Sequence, residues 1–246
     1  MKKILTVIVL LTAIIAHANV LGLRGTLPHK EFVAGEAIPY TLRIENHGAS
    51  AFLSDDYGEG LKNKVEIRMM TRSGTVLECK EGIPFGEILV LPDTAQEYTA
   101  DLTRWFTLPV GNYFVQAVIT RDGDAVAARM LDFAIVSGLE IGTVTRAVPG
   151  EDAATRDYTL LYWPRDDQEI LFLRMTESPS GLSQLIQLGN VVRHMTPTVA
   201  FPSKSTLVVT HQASQNLYVK TTIVSERSRF DILDRERLAR PVEEGE

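Results

Sequence analysis

Apolar and polar side chains alternate along several short segments of the chain. The alternation is regular in residues 40–45, 65–70, 113–119 and 131–135, where every second position is apolar. A period of two sends successive side chains to opposite faces of a strand, so each segment predicts a β-strand with one buried face. Asp122-Gly123 predicts a tight hairpin between two of the strands, because this pair tolerates the positive φ angles that such turns need. Several short strands separated by turns over about 120 residues predict a β-sandwich.

A turn placed directly before Tyr113 makes this prediction more specific. Residues 108–113 have the arrangement of a tyrosine corner, in which the tyrosine hydroxyl ties the start of a strand to a nearby backbone group. Together with three other segments, they resemble a family of immunoglobulin-like modules in exported bacterial proteins, over residues 22–137. The three segments are Ala34-Gly35-Glu36 ahead of Tyr40-Thr41-Leu42, Glu45-Asn46 after it, and Asp101-Leu102 before Trp105.

This resemblance implies an immunoglobulin-like β-sandwich over residues 19–137. Trp105 is then a core residue, and Tyr113 is the corner residue. Residues 101–117 also resemble part of the β-sandwich attached to some secreted metallopeptidases. The chain has no HExxH motif, so no peptidase chemistry follows from that similarity.

The chain beyond residue 138 shows a weak internal repeat. A shift of 47 residues places residues 160–162 on 207–209 and residues 168–172 on 215–219. Each copy has an apolar strand, a polar turn and a second apolar strand, and one more strand follows each copy. The layout resembles the blades of a β-propeller or a related hairpin repeat. Two blades cannot close a propeller, so three arrangements stay open: two units packed face to face, a partial barrel, or a sheet completed by a second chain.

The first residues have the pattern of a cleavable signal peptide. Lys2 and Lys3 precede an apolar run over residues 4–15, and Ala16-His17-Ala18 supplies the small residues of a cleavage site. The run is too short to cross the roughly 30 Å hydrocarbon core comfortably, and a retained anchor is the alternative. We therefore predict a periplasmic or secreted protein that is cleaved after Ala18.

At the other end, residues 234–240 predict a short exposed helix, followed by a frayed acidic tail. The predicted fold class is all-β, an immunoglobulin-like β-sandwich followed by a second, smaller antiparallel β domain of hairpin repeats. The predicted organisation is a signal peptide (1–18), the immunoglobulin-like β-sandwich (19–137), a β domain with two hairpin repeats (138–234) and a polar C-terminal tail (235–246).

Charge and cysteine content narrow the function. Removing residues 1–18, which contain two lysines and no acids, changes the net charge from −6 to −8. A negative protein is a poor match for nucleic acid or for an anionic lipid surface, so no nucleic-acid partner is predicted. After cleavage, no apolar stretch is long enough for an integral membrane protein. Cys79 is the only cysteine, which excludes an internal disulfide, and we expect it to be a small buried residue.

No motif predicts catalysis, a metal or a cofactor. The chain has no GxSxG elbow and no phosphate-binding GxxxxGK[ST] or GxGxxG loop. The four histidines of the mature chain (His29, His47, His194 and His211) lie in separate segments, so no zinc site is predicted. Residues 55–59 are acidic enough for calcium, but they lack EF-hand spacing and fit a solvated loop better. Asp166-Asp167 fits the turn of the first repeat's hairpin.

Aromatic and imidazole side chains in the repeats are the best candidates for ligand contact, because they bury a large area at low entropy cost. They are Trp163, His211 and Tyr218, although core packing explains the same residues. Alternation places Tyr162 and Trp163 on opposite faces. We predict an exported, non-enzymatic binding or adaptor protein of the bacterial envelope that contacts another envelope or secreted protein, or a glycan, through loops and sheet edges. The alternatives are a polysaccharide hydrolase or its carbohydrate-binding accessory module, and a protease inhibitor.

Overall fold

The computed structural model describes residues 20–54, 63–80, 84–121, 124–148, 154–226 and 229–239. The predicted signal peptide, the acidic loop at 55–59 and the chain beyond residue 239 lie outside these residues. The described part is almost entirely β, as predicted, with one helix of four residues, α1 (Leu102–Trp105). Among the described residues, no helix is long and apolar enough to cross a membrane.

Eleven strands of the described chain lie before residue 137. They are β1 (Leu21–Thr26), β2 (Glu31–Val33), β3 (Pro39–Asn46), β4 (Phe52–Leu53), β5 (Asn63–Thr71), β6 (Val76–Leu77), β7 (Leu89–Val90), β8 (Thr94–Asp101), β9 (Gly111–Arg121), β10 (Asp124–Ala127) and β11 (Leu131–Val136).

Two sheets of these strands enclose one core and form what we call the first sandwich. One sheet has the order β1-β3-β8 and the other β2-β11-β9-β5-β6. The alternation predicted for β3 is confirmed, because Tyr40, Leu42 and Ile44 are fully buried while the residues between them are not. Each such side chain contributes roughly 1.5–3 kcal/mol by leaving water. β9 brings Val115 and Ile119 to the same core from the other sheet.

The strand that returns from β9 is divided in two. Arg121 pairs with Asp124, so β9 and β10 are antiparallel neighbours as the sequence predicts, while Asp122 and Gly123 lie outside the described residues. Pairing then stops after Ala127 and resumes with β11, opposite the first half of β9. At the break, the amide of Ala128 donates to the carbonyl oxygen of Ala117 over 2.9 Å, so the buried backbone stays satisfied.

Tyr113 has the geometry of a tyrosine corner, since its hydroxyl donates to the carbonyl oxygen of Pro109 over 2.6 Å. Trp105, at the end of α1, is half-buried and packs against the core of the first sandwich. The expectation of a buried cysteine is wrong, because Cys79 is exposed. Cys79 follows the two-residue edge strand β6, which is too short to carry the chain after it back into the core.

Eight strands follow Ser137 in the described chain. They are β12 (Leu139–Ala147), β13 (Thr155–Arg165), β14 (Gln168–Ser178), β15 (Ser183–Val191), β16 (Thr198–Ala200), β17 (Thr206–Ser214), β18 (Leu217–Ser225) and β19 (Phe230–Ala239).

These strands form two four-stranded antiparallel sheets, β12-β13-β14-β15 and β16-β17-β18-β19. Each contains one copy of the hairpin repeat, with Leu160 opposite Leu173 in one sheet and Leu207 opposite Ile223 in the other. These four side chains are buried in one core that both sheets share. The two units therefore pack face to face, the first of the three arrangements that the sequence leaves open. We call this unit the second sandwich.

The helix expected at residues 234–240 is wrong. Residues up to Ala239 belong to β19, and Asp234 pairs with Thr222 of β18. The strand therefore also takes in residues 235–239, which the sequence pattern assigns to the polar tail. A helix of about seven residues is unstable in isolation, whereas β18 offers a complete row of backbone partners.

Candidate functional site

The two sandwiches meet along a small apolar contact. One face of the β12–β15 sheet covers the core of the second sandwich, and its other face packs on the first sandwich. There, Val33 of β2 is buried in one cluster with Leu161, Ile170 and Phe172. The prediction that Tyr162 and Trp163 lie on opposite faces is confirmed, because Tyr162 packs on the core of the second sandwich and Trp163 on this contact.

Polar side chains surround the apolar contact. Arg165 donates from Nη1 and Nη2 to the two carboxylate oxygens of Glu36, both over 2.8 Å. The two side chains are only 9% and 13% exposed, so the pair is largely screened from water. The indole nitrogen of Trp163 donates to Glu31 over 3.1 Å. Trp163, a candidate for ligand contact, thus lies at the junction between the sandwiches.

A cleft of about 820 Å³ opens beside this junction. Its walls combine apolar rings with carboxylates, an imidazole and amides, and the residues that line it include His29, Phe32, Asp166, Asp167 and Gln187. Such a mixture suits hydrogen bonding to a polar ligand. Among the residues that the structure describes, no group of three or more histidine, cysteine or acidic side chains could hold a metal ion.

His211 lies inside the second sandwich. It sits opposite Val219 and is only 1% exposed. Burial lowers the pKa of the imidazole below its usual value, against a backbone hydrogen bond at Asn190 that raises it. Tyr218 precedes Val219 on the same strand and therefore faces the opposite side of the sheet. The structure therefore does not bring the three candidate residues Trp163, His211 and Tyr218 together.

The most open feature of the second sandwich is the edge strand β12. Every residue in it except Ile141 is exposed, including Leu139 and Val144. One edge of β12 pairs with β13, and the other has no strand partner in the described chain. Only Glu140 and Arg146 carry charge in its nine residues. Side-chain alternation does not predict this strand; the β-branched run from Thr143 to Thr145 is the signal that could have revealed it.

The second sandwich has two other long edge strands, β15 and β19, and β19 differs from β12 in composition. Five of its ten residues are charged. Charged side chains on an edge strand hinder the approach of another strand. β16 has only three residues. β15 carries no charge, but its Leu188 and Val191 are buried, and it contacts β17 and β19 of the opposite sheet. β12 is therefore the most exposed of the three long edges.

Comparisons with known proteins add little to this description. No protein-family model matches the chain, and no curated protein matches it. Among solved structures, it is similar to Spo0M, the sporulation control protein from Bacillus subtilis, with a TM-score of 0.31 and 8% sequence identity over 70% of this chain and 90% of that one. A likeness at this level carries no argument about function.

Proposed function

We propose that the protein is an exported, non-enzymatic binding or adaptor protein that takes an extended segment of a protein partner onto β12. The observation that carries this proposal is the open edge of a nine-residue strand with two charged residues. A strand edge presents a row of backbone N–H and C=O groups, which an incoming strand satisfies while its side chains provide specificity.

Two features of the sequence support the location. The first 18 residues have the charge, apolar run and small residues of a signal peptide. The segments around Tyr40 and Tyr113 resemble immunoglobulin-like modules of exported bacterial proteins. We therefore place the mature protein in the periplasm or outside the cell, where its partner is another envelope or secreted protein.

The partner is an extended protein segment rather than a nucleic acid or a membrane. The exposed side chains of β12 are mostly apolar or hydroxyl-bearing. The full chain has a net charge of −6, which becomes −8 when the signal peptide with its two lysines is removed. Strand addition requires backbone groups on both sides, which a polypeptide supplies.

Site-specific photocrosslinking in the source cells tests the proposal. A photoreactive residue replaces Val144 on β12, and a second variant carries it at Leu233 on the charged edge β19 as the matched control. We expect one dominant protein adduct at position 144 and none at position 233. A variant that also carries Leu139→Lys should lose the adduct at least tenfold, because a lysine on an edge strand blocks pairing.

Three results would overturn the proposal. They are the same adducts at both positions, no adduct at position 144, and an adduct that contains only a second copy of this chain. Thermal unfolding of each variant, compared with the unmodified protein, shows whether the fold is retained. Loss of the adduct in a folded Leu139→Lys protein separates blocked pairing from unfolding.

A further inference from the structure

A second pocket, of about 560 Å³, lies at one end of the second sandwich, between its two sheets. β12 and β13 form one wall, and the segment that follows β16 forms the other. Its volume falls within the range of small-molecule sites, about 300–1,000 Å³. The lining residues are Arg146, Ala147, Val148, Arg156, Tyr158, Phe201, Ser203 and Lys204.

Positive charge is concentrated in this pocket. Arg146 and Arg156 are direct cross-strand partners in the β12–β13 ladder. Side chains at such positions are about 5 Å apart at Cβ, and like charges there repel each other. Lys204 adds a third cation. Glu177 neutralises Arg156, but no carboxylate in the described chain forms an ion pair with Arg146 or Lys204.

Arg156 is held rigidly beneath the pocket. It is 2% exposed, its Nε donates to Glu177 over 2.8 Å, and its Nη1 donates to the Glu226 carbonyl oxygen over 2.9 Å. Its Nη2 lies 2.7 Å from the same Glu177 oxygen, so the guanidinium and the carboxylate form a close ion pair. Arg156 therefore forms a fixed wall of the pocket, and Arg146 and Lys204 are the cations left to meet a ligand.

Aromatic rings form the apolar part of the pocket. The Arg146 guanidinium carbon lies 4.4 Å from the centre of the Phe201 ring, which positions that cation before any ligand arrives. Phe201 meets Tyr158 edge to face, with ring centres 5.3 Å apart. The Tyr158 hydroxyl shares a hydrogen bond of 2.6 Å with Ser225, which fixes the ring.

We infer that this pocket binds an oxyanion attached to a flat apolar body, such as an aryl carboxylate or an aryl phosphate. Arg146 and Lys204 attract the oxyanion, and the rings of Phe201 and Tyr158 contact the apolar body. The oxyanion comes either from a free organic acid or from an acidic group of the segment that binds β12, because Arg146 lies on that strand.

Calorimetric titration of the full mature chain at low ionic strength tests the site. The probes are phenyl phosphate, inorganic phosphate and the neutral analogue benzyl alcohol. We expect saturable binding of phenyl phosphate, weaker binding of inorganic phosphate and none of benzyl alcohol. The double variant Arg146→Gln/Lys204→Gln should bind phenyl phosphate at least tenfold more weakly. Arg237→Gln, an exposed arginine of β19, is the matched control and should bind it as the unmodified protein does.

A separate variant tests the contact between the Phe201 ring and the apolar body of the ligand. Phe201→Leu should reduce the preference for phenyl phosphate over inorganic phosphate, because it removes the ring and keeps the cations. The inference is overturned if phenyl phosphate shows no saturable binding, or if it binds the double variant and the unmodified protein equally. These titrations need no partner, so they decide the site even if the proposal for β12 fails.

Crosslinking then identifies the source of the oxyanion. The photoreactive residue at position 144 is activated in the presence of saturating phenyl phosphate. Loss of the adduct would show that an acidic group of the bound segment supplies the oxyanion. This assignment rests on the proposed function. An unchanged adduct assigns it to a free organic acid. Both results are consistent with an oxyanion site.

Discussion

At the scale of single residues, His211 makes the second sandwich sensitive to pH. Burial lowers the pKa of its imidazole below the usual 6.5, and the charge of Arg235 lowers it further, against a backbone hydrogen bond at Asn190 that raises it. The unfolded chain therefore takes up a proton at a pH where the folded chain does not. The free energy of unfolding therefore reaches its full value above pH 6.5, where His211 is neutral in both the folded and the unfolded chain. It falls as the pH drops below 6.5, by up to about 1.4 kcal/mol per pH unit.

Denaturant unfolding between pH 8 and pH 5 measures this effect. The variant His211→Leu should have a flatter dependence of the unfolding free energy on pH over that range. His194, which is exposed, provides the control His194→Gln, and that variant should keep the dependence of the unmodified protein. An equal slope in the His211 variant would assign the pH dependence to other groups.

At the scale of elements, the hairpin of β13 and β14 depends on its turn. Arg165 pairs with Gln168, which leaves Asp166 and Asp167 as the two turn residues. Asp166 has a φ of 53°, in the left-handed region that aspartate tolerates better than a β-branched residue. Asp166→Ile should therefore lower the unfolding free energy by about 1–2 kcal/mol, and Asp166→Gly should not lower it.

Chemical denaturation of the three proteins measures this difference. Asp167→Ile is the matched control, because Asp167 is not among the described residues with a positive φ. Its effect should be clearly smaller than that of Asp166→Ile. Equal losses at both positions would show that the backbone angle of Asp166 does not determine the stability of the turn.

At the scale of the whole molecule, the pair of Glu36 and Arg165 couples the two sandwiches. Both side chains are largely buried, and each belongs to a different sandwich. Arg165→Gln leaves the Glu36 carboxylate without its cation, so we expect a loss of about 3 kcal/mol. We also expect the unmodified protein to unfold in one transition and Arg165→Gln in two, because the apolar contact at the junction is small.

Differential scanning calorimetry resolves the number of transitions. Arg43→Gln is the control, because it removes an ion pair with Glu45 whose side chains are 44% and 41% exposed. Exposed pairs contribute little, so the unfolding temperature of Arg43→Gln should stay close to that of the unmodified protein. One transition at an unchanged temperature in Arg165→Gln would show that this pair does not couple the sandwiches.

Local patterns along the chain were sufficient to predict the all-β class, the turn at Asp166-Asp167 and the buried face of β3. Side-chain alternation depends only on neighbouring residues, since a strand sends successive side chains to opposite faces wherever it pairs. For the same reason, Tyr162 and Trp163 could be assigned to opposite faces before their surroundings were known. The turn at Asp166 could also be predicted from the sequence, because it depends on backbone angles that few residues adopt.

The choice between helix and strand for residues 234–239 required the tertiary structure. Their mixed charges fit either form, and only the row of backbone groups offered by β18 decides for a strand. Trp163 likewise lies at the junction because the first sandwich meets that face of the sheet, which no local pattern indicates. The candidate sites depend on the same long-range contacts. β12 is open because no other strand of the described chain covers its edge, and Arg146 faces Arg156 because the register of two strands places them opposite each other.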